Sequence, residues 1–66
     1  MNITINDTPY TLTEPTSLDA IPQIISLPKD ALALAVNQCI VHRENWAKTV
    51  LQDGDHIDAF TVVAGG

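Results

Sequence analysis

Residues 31–41 read ALALAVNQCIV, an apolar run followed by a short polar break and two further apolar residues. Its first part, residues 31–36, is the longest apolar run of the chain. Such a run is typical of a central strand covered on both faces, although alanines also favour helices. Residues 37–39 then indicate a tight reversal, because Asn37 suits a left-handed turn position. With residues 40–41 as the returning strand, the stretch predicts a reversal inside a sheet.

A second pair of strands is predicted before this stretch. Ile3 and Ile5 alternate with polar residues, which is the period of a strand with one buried face. Turn chemistry follows in residues 6–9 (NDTP), and residues 10–13 (YTLT) predict the partner strand. The chain therefore opens with a hairpin.

A short helix is predicted between the two reversals. Apolar side chains recur there at helical spacing, at Leu18, Ile21, Ile24 and Ile25. Thr16, followed three residues later by Asp19, resembles a capping box. Proline breaks a helix beyond its first turn, so Pro22 requires either a late start capped by Asp19 or an irregular first turn. The helix is expected to end before Pro28.

The last third of the chain predicts short pieces and one long strand. Residues 44–47 favour a single helical turn, residues 49–51 an extended piece, and residues 53–55 (DGD) a turn. Residues 56–63 predict the final strand. On that strand Ile57, Ala59, Thr61 and Val63 share one face, and Asp58, Phe60 and Val62 share the other. Burial of Ile57 would leave Phe60 and Val62 on the open side.

The predicted element order gives an α+β fold, a mixed sheet with one short helix packed on one face. This order resembles the ubiquitin-like β-grasp pattern. Residues 1–66 are expected to form one domain, in which residues 64–66 are a flexible C-terminal tail.

Composition excludes several classes of partner. Eight acidic residues face three basic ones, and the formal net charge of −5 would repel nucleic acid and anionic membranes. A basic protein partner is more consistent with this charge. Cys39 is the only cysteine, which excludes an internal disulfide and favours a reducing, cytoplasmic compartment. No signal peptide or membrane-spanning run is indicated.

The pair Gly65 and Gly66 closes the sequence directly after the apolar residues 60–64. Two glycines form a thin tail that can thread a narrow catalytic cleft, although a frayed end would look the same. The Gly66 carboxylate is therefore the candidate functional group. The candidate partner contacts are Phe60, Val62 and Ala64.

These features together resemble a known family, the ThiS-type sulfur carriers of thiamine thiazole synthesis. Residues 33–46 (ALAVNQCIVHRENW) resemble that family's A-x-A-V-N-x-x-I-V-P-R-x-x-W segment, except that His42 replaces the usual proline. Residues 53–57 match the D-G-D-x-I pattern, and Asn6 matches the asparagine that ends the first strand. The diglycine matches the family's tail, and Pro22 departs from its usual helix pattern.

The resemblance implies a specific chemistry for Gly66. An E1-like, ThiF-type enzyme would use ATP and magnesium to join the Gly66 carboxylate to AMP. Sulfur originating from a cysteine desulfurase persulfide would displace AMP, and a ThiG-type thiazole synthase would consume the resulting thiocarboxylate. The sequence contains no phosphate-binding loop and no nucleophile motif. The chain is thus expected to be a protein co-substrate without its own catalytic site, bound cofactor or metal.

Three other functions fit parts of the sequence. The small subunit of molybdopterin synthase is also a diglycine-tailed β-grasp carrier, but it is usually longer and lacks the R-x-x-W segment. A ubiquitin-like modifier would form isopeptide bonds from Gly66 to lysines. A plain interaction module would keep its activity after removal of Gly65 and Gly66.

Other reactive side chains are expected to be structural. Cys39 has no flanking base to activate it for sulfur relay, and it is placed in a turn. His42 and His56 lack the spacing of metal ligands, and residues 53–58 lack the order of a calcium loop. Two further structural positions are Trp46, packed over the sheet edge, and Arg43, making surface contacts.

Overall fold

The computed structural model describes residues 1–61, and residues 62–66 lie outside the described part. Its five strands are β1 (Asn2–Ile5), β2 (Thr8–Thr11), β3 (Leu32–Val36), β4 (Cys39–Val41) and β5 (His56–Thr61). The helix α1 spans Ile21–Ile24, and 3₁₀ helices span Leu18–Ala20, Lys29–Ala31 and Arg43–Lys48. Among the described residues, none of these helices has the length and apolar character needed to cross a membrane.

The strands form one mixed sheet in the order β2-β1-β5-β3-β4. β1 and β5 run parallel, and the other neighbouring pairs are antiparallel. The mixed sheet is as predicted, but the central strand is β5 rather than the apolar run at residues 31–36. That run is apolar on both sides because one face carries the core leucines and the other carries only Ala33 and Ala35. Ala31 lies in a 3₁₀ helix before β3.

Both hairpins close with two-residue loops of the same kind. Asn6 and Asp7 have φ of 50° and 68°, and Asn37 and Gln38 have φ of 50° and 71°. Left-handed angles at both loop positions match the twist of the flanking strands, and asparagine tolerates them best after glycine. The predicted left-handed position of Asn37 is confirmed.

The short loops move two strand starts from their predicted places. β2 begins at Thr8 rather than at residue 10, and β4 begins at Cys39, which was expected in the turn. Pro9 fits within β2 because it lies opposite Thr4 in the non-hydrogen-bonded pair next to the loop. The nitrogen of Pro9 therefore faces outward on an edge strand, where the missing N–H breaks no ladder bond.

Pro22 determines how the helical segment starts. The 3₁₀ turn Leu18–Ala20 comes first, and α1 follows with Pro22 in its first turn, where a missing N–H is tolerated. The irregular first turn is therefore the alternative that the structure adopts. The helix ends before Pro28, as predicted, with Ser26 in the left-handed region at φ 59°.

The predicted capping box is wrong. Neither the 3₁₀ turn nor α1 has a side-chain cap, so Asp19 does not cap either start. The Thr16 hydroxyl instead donates to the Glu14 carbonyl at 2.9 Å. The first free amide of the segment, that of Leu18, donates to the Thr49 carbonyl at 2.8 Å. A tertiary contact thus satisfies a donor that local sequence reasoning assigned to a cap.

One face of the sheet carries the core. Its buried members are Ile3, Ile5, Leu18, Ile21, Leu32, Leu34, Trp46, Leu51 and Ile57. Trp46 is 3% exposed, so the indole is a core residue rather than a cover on the sheet edge. Its Nε1 donates to the Val41 carbonyl of edge strand β4 at 2.9 Å. The Arg43 guanidinium lies 5.8 Å from the indole centroid and donates to the Asp30 carbonyl.

The backbone at His42 already has the shape that proline requires. His42 has φ −65° and ψ 147°, and the preceding residue, Val41, lies in a strand. Proline holds φ near this value and favours an extended residue before it. The departure from the family's proline therefore leaves the local geometry unchanged.

We expect His42→Pro to stabilise the fold. The ring would restrict the unfolded chain without straining the folded one, raising the free energy of unfolding by about 0.5–1 kcal/mol relative to His42→Ala. Urea unfolding of the two variants measures this difference. A His42→Pro protein less stable than His42→Ala would show that the His42 amide has a partner that proline removes.

Candidate functional site: the open sheet face and strand β5

The predicted functional residues fall in two places. Phe60 lies in β5 and is 50% exposed. Val62, Ala64, Gly65 and Gly66 lie outside the described residues. The structure therefore describes this site through β5, which leads into those residues, and through the sheet face around Phe60.

Alternation along β5 separates its two faces. Ile57 is fully buried, and Ala59 packs against the core. Phe60 and Asp58 project to the opposite face, because successive side chains of a strand point to opposite sides. Phe60 thus lies on the sheet face that the helix leaves uncovered.

Strand register places a second large apolar side chain on this face. Ala33 lies opposite Phe60, and Ala35 lies opposite both Asp58 and Ile40. Directly opposed residues share a face, so Ile40, which is 64% exposed, stands on the same side as Phe60. We define the open-face patch as Ala33, Ala35, Ile40 and Phe60. In this patch the small side chains of Ala33 and Ala35 lie on β3, between Ile40 on β4 and Phe60 on β5.

Sequence reasoning missed Ile40. The face of Ile40 depends on whether the reversal before it has two or three residues, because a one-residue slip moves a side chain to the other face. The sequence signal was the asparagine at position 37, which favours a two-residue loop. Counting the strand from residue 39 would have placed Ile40 beside Ala35.

A polar cluster adjoins the open-face patch along β5. The His56 Nε2 lies 3.2 Å from Asp58 Oδ1 and 3.7 Å from Asp7 Oδ1. The His56 Nδ1 shares a 2.8 Å hydrogen bond with the Thr4 hydroxyl. Within residues 1–61, no three His, Cys, Asp or Glu side chains are placed to bind a metal ion. The patch is therefore bordered, at the start of β5, by the carboxylates of Asp7 and Asp58 on either side of the His56 imidazole.

The loop asparagines of both hairpins hold β5. Asn6 Oδ1 accepts a hydrogen bond from the Ala59 amide at 2.9 Å, and Asn6 Nδ2 donates to the Ala59 carbonyl at 3.3 Å. Asn37 Oδ1 accepts a hydrogen bond from the backbone amide of His56 at 3.0 Å. The backbone amide of Asn37 donates to the His56 carbonyl at 2.7 Å. The Asn37 loop thus contacts the start of β5 at His56, and the Asn6 loop contacts it near its end at Ala59.

The turn before β5 is built by its own aspartates. Asp53 Oδ1 accepts from the Asn2 amide at 2.7 Å, and Asp55 Oδ2 accepts from the Gln52 amide at 2.8 Å. Gly54 has φ 88°, which disfavours any residue with a side chain. Asp55 thus bonds the backbone of the turn and Asp53 ties the turn to β1, and the predicted turn is confirmed.

Comparison with known proteins identifies relatives along the chain. The model of the ThiS family matches residues 3–66. The sulfur carrier protein ThiS of Escherichia coli (strain K12) is 62% identical over 34 residues, which cover 52% of this chain and 52% of that protein. The aligned part thus spans about half of the Escherichia coli protein. The uncharacterized protein ycf40 of Porphyra purpurea is 26% identical over 66 residues, 100% of this chain and 93% of that protein.

Solved structures confirm the fold. The crystal structure of the thiamine biosynthesis protein ThiS from Geobacter metallireducens gives a TM-score of 0.83, covering 100% of both chains at 23% identity. The solution structure of a thiamine biosynthesis protein from the same organism gives 0.78 at 23% identity, covering 100% of this chain and 88% of that one. The predicted ubiquitin-like β-grasp fold is therefore correct.

Replacing Phe60 should change stability far less than replacing its neighbour on the core face. Phe60→Ser removes a half-exposed side chain and should cost about 1 kcal/mol or less, whereas Ile57→Ala should cost about 2–5 kcal/mol by leaving a cavity. Urea unfolding of both variants tests the assignment. Equal losses would mean that Phe60 is a core residue and that the open-face patch is not a free surface.

Proposed function

The chain belongs to the ThiS family, and on this basis we propose that it is a sulfur carrier protein of thiamine biosynthesis. The observation that carries the proposal is the family match over residues 3–66. Support comes from the β-grasp fold, whose central strand β5 leads directly to the residues that include Gly65 and Gly66.

The motif residues have definite structural roles in this fold. Trp46 fills the core beneath β4, and Arg43 stacks near its ring while bonding the Asp30 carbonyl. Asp53 and Asp55 build the turn that starts β5. These residues form a scaffold, so the proposed chemistry lies beyond them, at Gly66.

The Gly66 carboxylate needs activation because a carboxylate is a poor electrophile. In the proposed sequence, its oxygen attacks the α-phosphorus of ATP on an E1-like, ThiF-type enzyme, and magnesium pyrophosphate leaves. Sulfur from a cysteine desulfurase persulfide then attacks the acyl carbon and expels AMP. A thiol reduces the remaining sulfur–sulfur bond, which leaves a Gly66 thiocarboxylate.

The thiocarboxylate is a soft nucleophile and would be the sulfur source of a ThiG-type thiazole synthase. In this scheme the enzymes supply every catalytic group, and this chain supplies the acyl group as a co-substrate that holds no cofactor of its own. ATP and reduced thiols are cytoplasmic resources, so we place the reaction in the cytoplasm.

The open-face patch is our proposed docking surface for these enzymes. Phe60 and Ile40 are 50% and 64% exposed, and large apolar side chains near an interface centre often dominate affinity. Asp7 and Asp58 adjoin the patch, which favours an enzyme surface with an apolar centre and a basic rim. Val62 and Ala64 would extend the contact toward Gly66.

Intact mass spectrometry tests the chemistry. The chain is incubated with ATP, magnesium, an E1-like enzyme, a persulfide donor and a thiol, beside a variant that lacks Gly66. We expect an oxygen-to-sulfur mass change in the full chain only. Detection of Gly66 joined to target lysines instead would indicate a ubiquitin-like modifier. No adenylate and no thiocarboxylate, with an enzyme that activates a known carrier, would refute the proposal.

Introduction of a negative charge into the patch tests the docking surface. Ile40→Glu should weaken binding to the E1-like enzyme by about tenfold or more, because it buries a carboxylate at an apolar contact. Val50→Glu is the matched control, since Val50 is 58% exposed but belongs to none of the five strands. Titration calorimetry measures both. Equal weakening by the two variants would assign the effect to net charge and exclude a specific patch.

A further inference from the structure

The Asn6 side chain contacts the backbone of β5 like a peptide group. An amide N–H only donates and a carbonyl only accepts, so the Ala59 peptide atoms fix which amide atom of Asn6 faces each. Oδ1 lies 2.9 Å from the Ala59 nitrogen, and Nδ2 lies 3.3 Å from the Ala59 oxygen. The side chain satisfies both backbone groups of one residue.

These two bonds extend the β1–β5 ladder by one rung. The strands pair at Thr4–His56 and Ile5–Ile57. The backbone N–H of Asn6 also donates to the Ile57 carbonyl at 2.9 Å. The main chain then leaves the sheet through the loop, because Asn6 itself has φ 50°. The Asn6 side chain therefore makes the next pair of hydrogen bonds to β5 in place of the main chain.

Ala59 is therefore the last described residue of β5 whose backbone groups are bonded on the β1 side. On the β3 side, pairing continues through Ala33–Phe60 and Leu32–Thr61. On the β1 side, alternate residues present their backbone groups, so the next position after Ala59 is Thr61, beyond the reach of β1. Asn6 marks the boundary where two-sided pairing of β5 ends.

We propose that Asn6 is a positioning residue for the reaction at Gly66, an inference that rests on the proposed sulfur-carrier function. The boundary at Ala59 directly precedes Phe60 of the open-face patch. The Asn6 bonds hold the β1 side of the strand at this boundary, beyond which only β3 pairs with it, and so limit the sideways movement of the strand end that leads to Gly66. Reactions between bound groups are sensitive to such placement, since a misplacement of about 1 Å can cost about a hundredfold in rate.

The proposal separates two kinetic parameters. The open-face patch is formed by β3, β4 and β5 pairings that do not involve Asn6. Loss of the Asn6 bonds should therefore leave the KM of the activating enzyme for the chain nearly unchanged. It should lower kcat, because fewer docked chains present Gly66 in a reactive position.

Asn37 provides a matched control within the same molecule. It occupies the first position of the other two-residue loop, has the same φ of 50°, and also bonds a β5 amide through Oδ1. That amide belongs to His56, at the opposite end of β5 from the boundary. Replacement by glycine preserves the left-handed backbone at either position and removes only the side-chain bonds.

The experiment compares Asn6→Gly and Asn37→Gly at a temperature where urea titrations show both proteins folded. Rates of pyrophosphate release by an E1-like enzyme are measured against chain concentration. We expect Asn6→Gly to lower kcat by about tenfold with KM within about twofold, and Asn37→Gly to leave both within about twofold. Amide hydrogen exchange at Ala59 should accelerate in Asn6→Gly alone.

Two results would overturn the inference: equal kinetic losses in both variants, or unchanged Ala59 exchange in Asn6→Gly. If Asn6→Gly does not fold, Asn6→Asp replaces it, since it keeps the acceptor for the Ala59 amide but loses the donor; it should lower kcat by a smaller factor, and an unchanged kcat would refute the role. Lack of any reaction with the wild-type chain would refute the sulfur-carrier proposal, whereas hydrogen exchange would still test the boundary at Ala59.

Discussion

Pairing of β5 on both sides joins the two halves of the sheet. β5 bonds to parallel β1 on one side and to antiparallel β3 on the other, so within the described sheet it lies between the two hairpins. Ile57 in this strand is fully buried at the junction. A chain of 66 residues can bury only a small core, and Ile57 of the last strand belongs to it together with residues of both hairpins.

Local patterns predicted the elements well because their signals are local. Alternation of isoleucines predicted β1, and asparagine in the second reversal predicted a left-handed turn. The parts that failed depend on contacts distant in sequence. The cap expected from Thr16 is replaced by the bond between Leu18 and Thr49, and the centre of the sheet passes from β3 to β5.

The candidate site could be predicted only in part for a related reason. Alternation was enough to place Phe60 on the open face, because it needs only the strand's own period. Ile40 required the register between two strands, which one residue of loop length decides. The contact of Asn6 could not be predicted at all. The sequence indicates that a strand ends at Asn6, but it does not show which distant residue the side chain bonds.

The open-face patch also has a consequence for the order of events. The proposed route gives this chain two successive enzyme partners, and the open-face patch is the proposed docking surface of both. The partners would then compete for the same surface, so the carrier must dissociate between loading and delivery. Moderate affinity with fast exchange would serve such a shuttle better than tight binding, since a long-lived complex with either enzyme would stop the flow of sulfur.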